Sequence, residues 1–205
     1  MKILMLNGSP KDNGNTARML AEMTGIFERE GIEIVYYHVG NMLVHGCTGC
    51  GTCYKTKKCI FDDVVNELAE KLDECDGMVV GSPVYYAAAS STLTAILDRL
   101  FYSSKSDKRM KVGASVVVAR RGGCTAAFDQ LNKYFAICGM PIASSQYWNI
   151  AHGALPGQVE LDGEGLQTLR TLANNMVFLM RSIELGKEKF GLPEKEKSIR
   201  TNFIR

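Results

Sequence analysis

The sequence of 205 residues contains no hydrophobic run close to the roughly 20 residues that a membrane-spanning helix needs. It also lacks an excess of either charge, because 24 Lys and Arg face 22 Asp and Glu, whereas a nucleic-acid-binding domain usually has a clear basic excess. Internal repeats and low-complexity stretches are missing too, and 46% hydrophobic with 22% charged residues is the composition of an ordinary folded domain. We therefore expect neither a membrane nor a nucleic acid as partner.

Motifs for side-chain catalysis are scarce as well. The three histidines, His38, His45 and His152, are scattered and belong to no catalytic dyad. Neither the G-x-G-x-x-G fingerprint nor the GK[ST] phosphate turn occurs, which disfavours a classical dinucleotide or ATP site. We predict no catalytic side chain and look to a cofactor for the chemistry.

Cysteine, by contrast, is plentiful, with seven residues in the chain. The N-terminal segment MKILMLNGSP is too short for a cleaved signal peptide and is predicted to form a strand. We therefore expect a cytoplasmic protein. Thiols stay reduced in that compartment, which favours metal or redox work over a disulfide scaffold.

Predicted strands and helices alternate along the whole chain. Strands are predicted over 2–6, 32–39, 76–81, 111–119 and 142–150, and helices over 16–29, from 62 onward, 90–101, 125–138 and 165–185. Five such units indicate an α/β fold, a three-layer sandwich around a five-stranded parallel sheet, for which we predict the flavodoxin-like order 2-1-3-4-5. We expect one domain over 1–186, with a cysteine-rich loop at 47–59, and a C-terminal tail over 187–205.

The segment after the first predicted strand has the features of an anion site. Gly8 and Gly14 let the backbone approach a ligand closely. Side chains that can donate hydrogen bonds accompany them, namely Ser9, Asn13, Asn15 and Thr16. A plain helix cap needs only one such residue, so the set together with the helix N-terminus favours a phosphate monoester. No acidic residue ends the second predicted strand to hold a ribose, which favours a mononucleotide.

Three motifs resemble those of the NADPH-dependent FMN reductase and iron–sulfur flavoprotein family, whose members have a flavodoxin-like fold. They are Gly8-Ser9-Pro10-Lys11, Gly14-Asn15-Thr16 and Gly81-Ser82-Pro83-Val84-Tyr85-Tyr86, and the resemblance covers roughly the first 125 residues. It implies FMN as cofactor. By resemblance, the phosphate would be surrounded by Ser9, Lys11, Asn15 and Thr16, and the ring would be flanked by Pro83, Val84, Tyr85, Tyr86 and Ala87.

Another glycine-bearing loop follows the fourth predicted strand, with the sequence Arg120-Arg121-Gly122-Gly123. Its glycines, Gly122 and Gly123, permit close backbone approach. One of the arginines would place a cation near the N1 and O2 edge of the flavin and stabilise its anionic reduced form. Exposed surface arginines without a ligand are the alternative.

Four cysteines are concentrated in one predicted loop, as Cys47, Cys50, Cys53 and Cys59. This compact spacing can wrap a [4Fe–4S] cluster, while structural zinc more often takes two C-x-x-C pairs separated by a longer span. An ordinary loop without metal is the third interpretation, and the spacing leaves all three open. The family resemblance implies a [4Fe–4S] cluster beside FMN, with these cysteines as its ligands.

Together these features predict an FMN-dependent oxidoreductase that takes hydride from NAD(P)H and passes electrons to a quinone, small-molecule or protein acceptor. The alternative is an iron–sulfur flavoprotein that acts as a ferredoxin-linked electron carrier, and a third hypothesis is a regulatory module whose cysteine loop senses metal or oxidant. The near-neutral charge balance argues against a flavodoxin, which is usually strongly acidic. By resemblance we also expect a homodimer or homotetramer.

Overall fold

A five-stranded parallel sheet lies at the centre of the computed structural model, which describes residues 1–199 and 201–204. The strands are β1 (Lys2–Asn7), β2 (Glu33–His38), β3 (Gly77–Tyr85), β4 (Ala88–Ala89), β5 (Val112–Ala119) and β6 (Ile150–His152). The parallel strands are ordered β2-β1-β3-β5-β6, and the short β4 folds back antiparallel on the end of β3. The predicted flavodoxin-like order is confirmed, because β5 and β6 are the fourth and fifth parallel strands.

Helices cover both faces of this sheet and complete the predicted three layers. They are α1 (Asn15–Arg29), α2 (Cys53–Thr56), α3 (Val64–Glu74), α4 (Ser91–Ser103), α5 (Cys124–Ile137) and α6 (Gly163–Phe190), with a 3-10 turn at Gln158–Leu161. Side chains alternate along β1, so that Ile3 and Met5 pack with α1 and α6, whereas Leu4 and Leu6 pack with α3, α4 and α5. Every residue of β5 is buried, as expected for a strand covered on both faces.

The predicted strand over 142–150 is wrong in its middle. The chain pairs with β5 at Ile142, leaves the sheet, and pairs with β5 again only at β6. Asn149 Nδ2 donates to the Ser115 carbonyl oxygen at 3.2 Å, and Ser145 Oγ donates to Asn149 Oδ1 at 2.8 Å. The Asn149 side chain thus takes a β5 carbonyl oxygen that the backbone of a continuous strand could have used, and Ser145 holds that side chain in place.

Helix α6 continues beyond Gly186, where the sequence analysis ends the domain. It runs to Phe190, so the tail begins at Gly191 rather than at residue 187. Its N-terminus is fixed by Asp162, which accepts a hydrogen bond from the Gly165 N–H at 2.9 Å. Among the described residues, no helix combines the length and the apolar character needed to cross a bilayer.

Candidate functional site

Loops at the carboxyl ends of β1, β3, β5 and β6 enclose a cleft of about 330 Å³, which we call the edge cleft. Its lining residues are Ser9, Lys11, Gly14, Asn15, Thr16, Pro83, Val84, Tyr85, Val118, Ala119, Arg120, Gly153, Ala154 and Pro156. Open α/β sheets bind ligands at this edge, and small-molecule sites measure roughly 300–1,000 Å³. The lining combines hydroxyl, amide and cationic groups with aliphatic and aromatic carbon, so it suits a ligand that is both charged and flat.

The N-terminus of α1 opens on the edge cleft. Gly14 occupies its N-cap position, and no side chain in the described part of the chain caps this helix. Helices α3 and α6 are capped by the side chains of Asp63 and Asp162, whereas α2, α4 and α5 resemble α1 in having no side-chain cap among the described residues. Thr16, in the first turn of α1, is only 1% exposed. Uncapped first-turn N–H groups and the positive end of the helix dipole are together the features that suit an anion.

The turn between β1 and α1 packs on the end of β2. A Cβ added to Gly40 would lie 2.1 Å from the Ser9 carbonyl oxygen and 2.5 Å from the Gly8 carbonyl carbon. His38 Nε2 donates to the Ser9 carbonyl oxygen at 2.6 Å, and His38 Nδ1 lies 2.7 Å from the Asp12 carboxylate. The position of the turn is therefore set by residues about thirty positions later in the chain, which the sequence analysis missed.

The loop after β6 closes the edge cleft next to α1. The Val159 N–H donates to Asn15 Oδ1 at 3.3 Å, and a Cβ on Gly153 would lie 2.8 Å from Asn15 Nδ2. The Gly153 N–H also donates to the Ala119 carbonyl oxygen at 3.0 Å. Asn15 therefore lines the cleft and also connects α1 to the loop after β6.

A strained two-residue turn joins β3 to β4 beside the cleft. The antiparallel register leaves Tyr86 and Ala87 in the turn, with φ angles of +50° and +60°. Turns of this kind normally carry Asn-Gly, because both central residues need positive φ. The turn is held from the α5 side, since a Cβ on Gly123 would lie 2.8 Å from Ala87 Cα.

We expect Ala87→Gly to raise the free energy of unfolding by about 0.5–1 kcal/mol. Glycine adopts positive φ without steric cost, and this relief exceeds the entropy that glycine adds to the unfolded chain. Urea unfolding of the purified variant measures the change. Ala88→Gly is the matched control and should be destabilising, because Ala88 lies in β4 without positive φ. A lower free energy of unfolding in Ala87→Gly would contradict the claim that the positive φ of Ala87 strains the turn.

A second cavity, of about 20 Å³, lies between the 47–61 loop and α4, and we call it the cysteine cavity. It is lined by Cys47, Thr48, Gly49, Cys50, Gly51, Cys53, Cys59, Ile60, Phe61, Arg99, Tyr102 and Ser103. Cys47 and Cys50 are exposed, Cys53 is buried and Cys59 is half-buried. Within residues 1–199 and 201–204, no three His, Cys, Asp or Glu side chains lie close enough to share a metal ion. The four thiols thus border one cavity without forming a finished coordination shell.

Two glycines let this loop curve around the cavity. Gly49 and Gly51 have φ angles of +67° and +72°, which other residues rarely adopt. Hydrogen bonds from the side chain and backbone of Thr52 lower the pKa of the Cys50 thiol below its ordinary value. The loop therefore stabilises the thiolate of Cys50 relative to that of an ordinary cysteine, and the thiolate is the form that binds metals.

A buried arginine fixes the far end of the loop. Arg99 of α4 is 1% exposed, and its two terminal nitrogens donate to the Asp63 carboxylate at 2.6 and 2.8 Å. Its Nε donates to Cys59 Sγ at 3.2 Å, and its guanidinium lies 4.9 Å from the centroid of the Phe61 ring. Burial alone would raise the pKa of Asp63, but hydrogen bonds from Arg99 and the Val65 N–H outweigh it and lower that pKa. Cys59 consequently lies beside a fixed positive charge.

Comparison with known proteins identifies the family of the chain. The model of the NADPH-dependent FMN reductase family matches residues 1–154. The chain belongs to this family. One curated relative, an iron–sulfur flavoprotein of Methanocaldococcus jannaschii, is 31% identical over 192 residues, which cover 90% of this chain and 100% of the relative. The resemblance stated from the motifs is confirmed.

Solved structures agree on the architecture expected for an FMN reductase family member. RosB with bound 8-demethyl-8-formylriboflavin-5′-phosphate superposes with a TM-score of 0.67 at 17% identity, covering 100% of this chain and 92% of RosB. A flavodoxin from the domain Archaea gives a TM-score of 0.57 at 16% identity, covering 90% of this chain and 99% of the flavodoxin. Such likeness shows the flavodoxin-like fold, and together with the family it supports a flavoprotein oxidoreductase.

The edge cleft brings together part of the residue set predicted to bind the cofactor. The predicted residues that line it are Ser9, Lys11, Asn15, Thr16, Pro83, Val84, Tyr85 and Arg120. The predicted residues outside its lining are Asn13, Tyr86, Ala87, Arg121, Gly122 and Gly123. Asn13 borders an adjoining groove along α1, and Tyr86 is fully exposed. Lining residues that the sequence analysis did not propose are Val118, Ala119, Gly153, Ala154 and Pro156. The predicted strand order could have indicated them, because Val118 and Ala119 end the fourth parallel strand and the other three follow the fifth.

The edge cleft fits the FMN that the family implies. Its polar end combines the uncapped start of α1 with Ser9, Lys11 and Thr16, which is the chemistry that a phosphate requires. A Cβ on Gly14 would lie 3.2 Å from Lys11 Cβ and 3.4 Å from Ser9 Oγ, so a side chain at this position would pack tightly against the turn. The rest of the lining is mainly apolar, as a flavin ring requires.

The donor chemistry of the cysteine cavity fits an iron–sulfur cluster. Its lining has four thiols and no His, Asp or Glu. Ser103, only 3% exposed, also lines the cavity, and its buried hydroxyl has no hydrogen-bond partner among the described residues. The present volume is about that of one water molecule, so cluster binding requires the segment with the exposed Cys47 and Cys50 to move outward. Such coupling of metal binding to local folding is common.

Proposed function

We propose that this protein is an FMN-dependent oxidoreductase that takes hydride from NAD(P)H and passes electrons to a quinone, small-molecule or protein acceptor. The observation that carries the proposal is the uncapped N-terminus of α1, which opens on the edge cleft beside Ser9, Lys11 and Thr16. The match to the NADPH-dependent FMN reductase family over residues 1–154 supports it.

In this proposal, Ser9, Lys11, Asn15 and Thr16 hold the phosphate of FMN. Pro83, Val84 and Tyr85 would flank its ring, in line with the mainly apolar wall they form. When bound, FMN supplies the hydride acceptor and the store of electrons. The chain binds and orients it and sets the charge around it, and we assign no acid or base to a side chain.

Anaerobic mixing tests the proposed activity. The purified full-length protein, loaded with FMN, is mixed with NADPH or NADH while the visible absorbance of oxidised flavin is recorded. We expect at least one nucleotide to bleach the flavin, and addition of a quinone to give many turnovers. Flavin that dithionite reduces but that neither nucleotide reduces would contradict the proposed activity.

Arg120 gives a prediction for the cofactor environment. It lines the edge cleft, and a nearby cation favours the reduced flavin because reduction adds negative charge. We expect Arg120→Gln to lower the flavin midpoint potential by about 30 mV, which is tenfold in the equilibrium constant of a two-electron couple. Spectroscopic titration with a reference dye measures the shift.

Arg121 provides the matched control for that experiment. It is exposed like Arg120 but lies outside the lining of the edge cleft. Arg121→Gln should leave the potential at the wild-type value. Equal shifts in the two variants would indicate a general effect of surface charge and would contradict a local role for Arg120.

A second candidate function rests on the cysteine cavity. Four cysteines border it, and the relative from M. jannaschii is named an iron–sulfur flavoprotein. We propose as the alternative that Cys47, Cys50, Cys53 and Cys59 hold a [4Fe–4S] cluster and that the protein is a ferredoxin-linked electron carrier. The competing interpretations are that the same four cysteines bind zinc or that they bind no metal.

Anaerobic purification followed by iron, sulfide and zinc analysis separates these states. The carrier predicts iron and sulfide in the protein, slow reaction with both nicotinamide nucleotides and fast electron exchange with a ferredoxin. Replacing all four cysteines by Ser should remove the iron and leave FMN bound, because the edge cleft contains none of them. Zinc alone, or no metal after reconstitution with iron and sulfide, would contradict the cluster.

Self-association and location belong to the same proposal. We propose a cytoplasmic homodimer or homotetramer. Large exposed side chains near the edge cleft support the association, since Tyr85, Tyr86 and Leu155 are 47%, 106% and 64% exposed. Light scattering during size-exclusion chromatography measures the molar mass, and a monomer at micromolar concentration would contradict the association.

A further inference from the structure

A single buried hydroxyl on α4 lacks a partner. Ser103 is 3% exposed, and its Oγ is the only buried side-chain nitrogen or oxygen without a hydrogen bond among the described residues. Leaving a buried hydroxyl unpaired costs about 1–3 kcal/mol. Native proteins satisfy nearly all such groups, so this one calls for an acceptor absent from the polypeptide itself.

The residue that carries this hydroxyl, Ser103, is one of the residues that line the cysteine cavity. Arg99, four residues earlier on the same face of α4, also lines this cavity. Its Nε already donates to Cys59 Sγ at 3.2 Å. One face of α4 thus carries two donors. Arg99 Nε is bonded to sulfur, and Ser103 Oγ has no acceptor among the described residues.

The direction of the Arg99 donor is fixed by the groups around it. Asp63 accepts from both terminal nitrogens at 2.6 and 2.8 Å, and the carbonyl oxygen of His45 accepts at 3.1 Å. Phe61 covers one face of the guanidinium. With these partners satisfied, Nε remains aimed at the sulfur of Cys59.

We propose that Ser103 Oγ and Arg99 Nε are hydrogen-bond donors to the sulfur atoms of the group held by the four cysteines, and that they set its reduction potential. This inference rests on the cluster proposed above. Each electron that the group takes up adds one negative charge, and hydrogen bonds to sulfur stabilise the more negative state. The two residues therefore raise the reduction potential. They act as hydrogen-bond donors to sulfur and not as ligands of the metal.

Ser103→Ala tests the inference, because it removes the free hydroxyl and leaves Arg99 in place. Wild type, Ser103→Ala and the control Ser91→Ala are reconstituted anaerobically with iron and sulfide as full-length proteins. Ser91 begins α4 and is exposed, so it matches the substitution outside the cavity. Iron and sulfide are assayed first, and the reduced fraction is then followed by electron paramagnetic resonance during a potential titration.

We expect Ser103→Ala to hold as much iron as wild type, with the ratio of reduced to oxidised cluster about tenfold lower at the wild-type midpoint, a 59 mV shift for one electron. Ser91→Ala should titrate like wild type. Equal potentials in loaded wild type and Ser103→Ala would overturn the inference and leave the cluster intact. A wild-type protein that takes up neither iron nor sulfide would instead overturn the proposed cluster, and this inference with it.

The metal-free proteins provide a second readout. Because the Ser103 hydroxyl has no partner within residues 1–199 and 201–204, the midpoint temperature of metal-free Ser103→Ala should equal or exceed that of wild type. Loading with the cluster should stabilise wild type more than the variant. A clearly lower midpoint temperature in the metal-free variant would show that the hydroxyl has an internal partner and would overturn the inference.

Discussion

Gly40→Ala should weaken FMN binding by at least about 100-fold, or about 2.7 kcal/mol. The added Cβ would lie 2.1 Å from the Ser9 carbonyl oxygen and 2.2 Å from the Ser9 carbonyl carbon. Both atoms are backbone, so no side chain can rotate away and the turn between β1 and α1 must shift. This turn carries the proposed phosphate site, where a displacement of an ångström removes hydrogen bonds to a charged group.

Fluorescence titration of flavin-free protein with FMN measures the loss. Gly25→Ala is the matched control, because nothing lies within 4 Å of its added Cβ and alanine favours the interior of α1. Thr16→Val is a milder variant that alters only the lining, for the case in which Gly40→Ala does not fold. Wild-type affinity in a folded Gly40→Ala protein would contradict the role of this turn.

Arg99→Met should lower the free energy of unfolding by about 3 kcal/mol. The substitution leaves the partly buried Asp63 carboxylate without its two charge-assisted hydrogen bonds, and breaking a buried pair typically costs about 3–5 kcal/mol. We place the expected loss of unfolding free energy at the low end of this range because the Asp63 side chain is 23% exposed. Urea unfolding of metal-free protein measures it.

Arg181→Met is the matched control for this prediction. Arg181 pairs with Glu30 at 2.9 Å, but their side chains are 50% and 40% exposed. Exposed pairs contribute about 0–1 kcal/mol, so this variant should lose no more than that. A similar loss in both variants would contradict the importance of burial at Arg99.

The difference between wild type and Arg99→Met should shrink in acid. Although burial opposes it, hydrogen bonding from Arg99 and the Val65 N–H keeps the folded-state pKa of Asp63 below its ordinary value. The stabilisation is therefore complete above the unfolded aspartate pKa of about 3.9 and is lost as pH falls through the folded value. Urea unfolding curves at neutral pH and near pH 3 give the difference in free energy of unfolding between the two proteins at each pH. If this difference did not change with pH, the effect of Arg99 would come from packing and not from the ion pair.

The elements that position the edge cleft could be predicted because their signals are local. The hydrophobic periodicity of α1 and the apolar run of β5 both reflect burial against the sheet, and burial fixes the pattern of the sequence. The same reasoning fails before β6, because the side chains of Ser145 and Asn149 donate to the backbone carbonyl oxygens of Tyr147 and Ser115. A run of residues that suits a strand does not reveal this competition.

The residues that pack behind the turn between β1 and α1 could not be found from their neighbours in sequence. His38 and Gly40 reach it only because the β1–β2 register pairs Asn7 with His38. Ser90 has the position of a helix cap, yet its Oγ donates to the Gly8 carbonyl oxygen at 2.7 Å instead. Such contacts depend on the tertiary structure.

Arg99 illustrates the same limit at the cysteine cavity. Charged residues are rarely buried, so a sequence pattern predicts this side chain on the exposed face of α4. Its burial depends on Asp63, a residue 36 positions away, and on Cys59. Only the folded chain brings these three groups together.

The central claim is that the turn between β1 and α1 binds the phosphate of FMN, and calorimetric titration of flavin-free protein with FMN and with riboflavin tests it most directly. The two ligands share the ring and differ in the phosphate. We predict one FMN bound per chain and riboflavin bound at least about 100-fold more weakly, as expected for the loss of a charged group from a helix N-terminus. Equal affinities for the two ligands, or no binding of FMN, would contradict the claim.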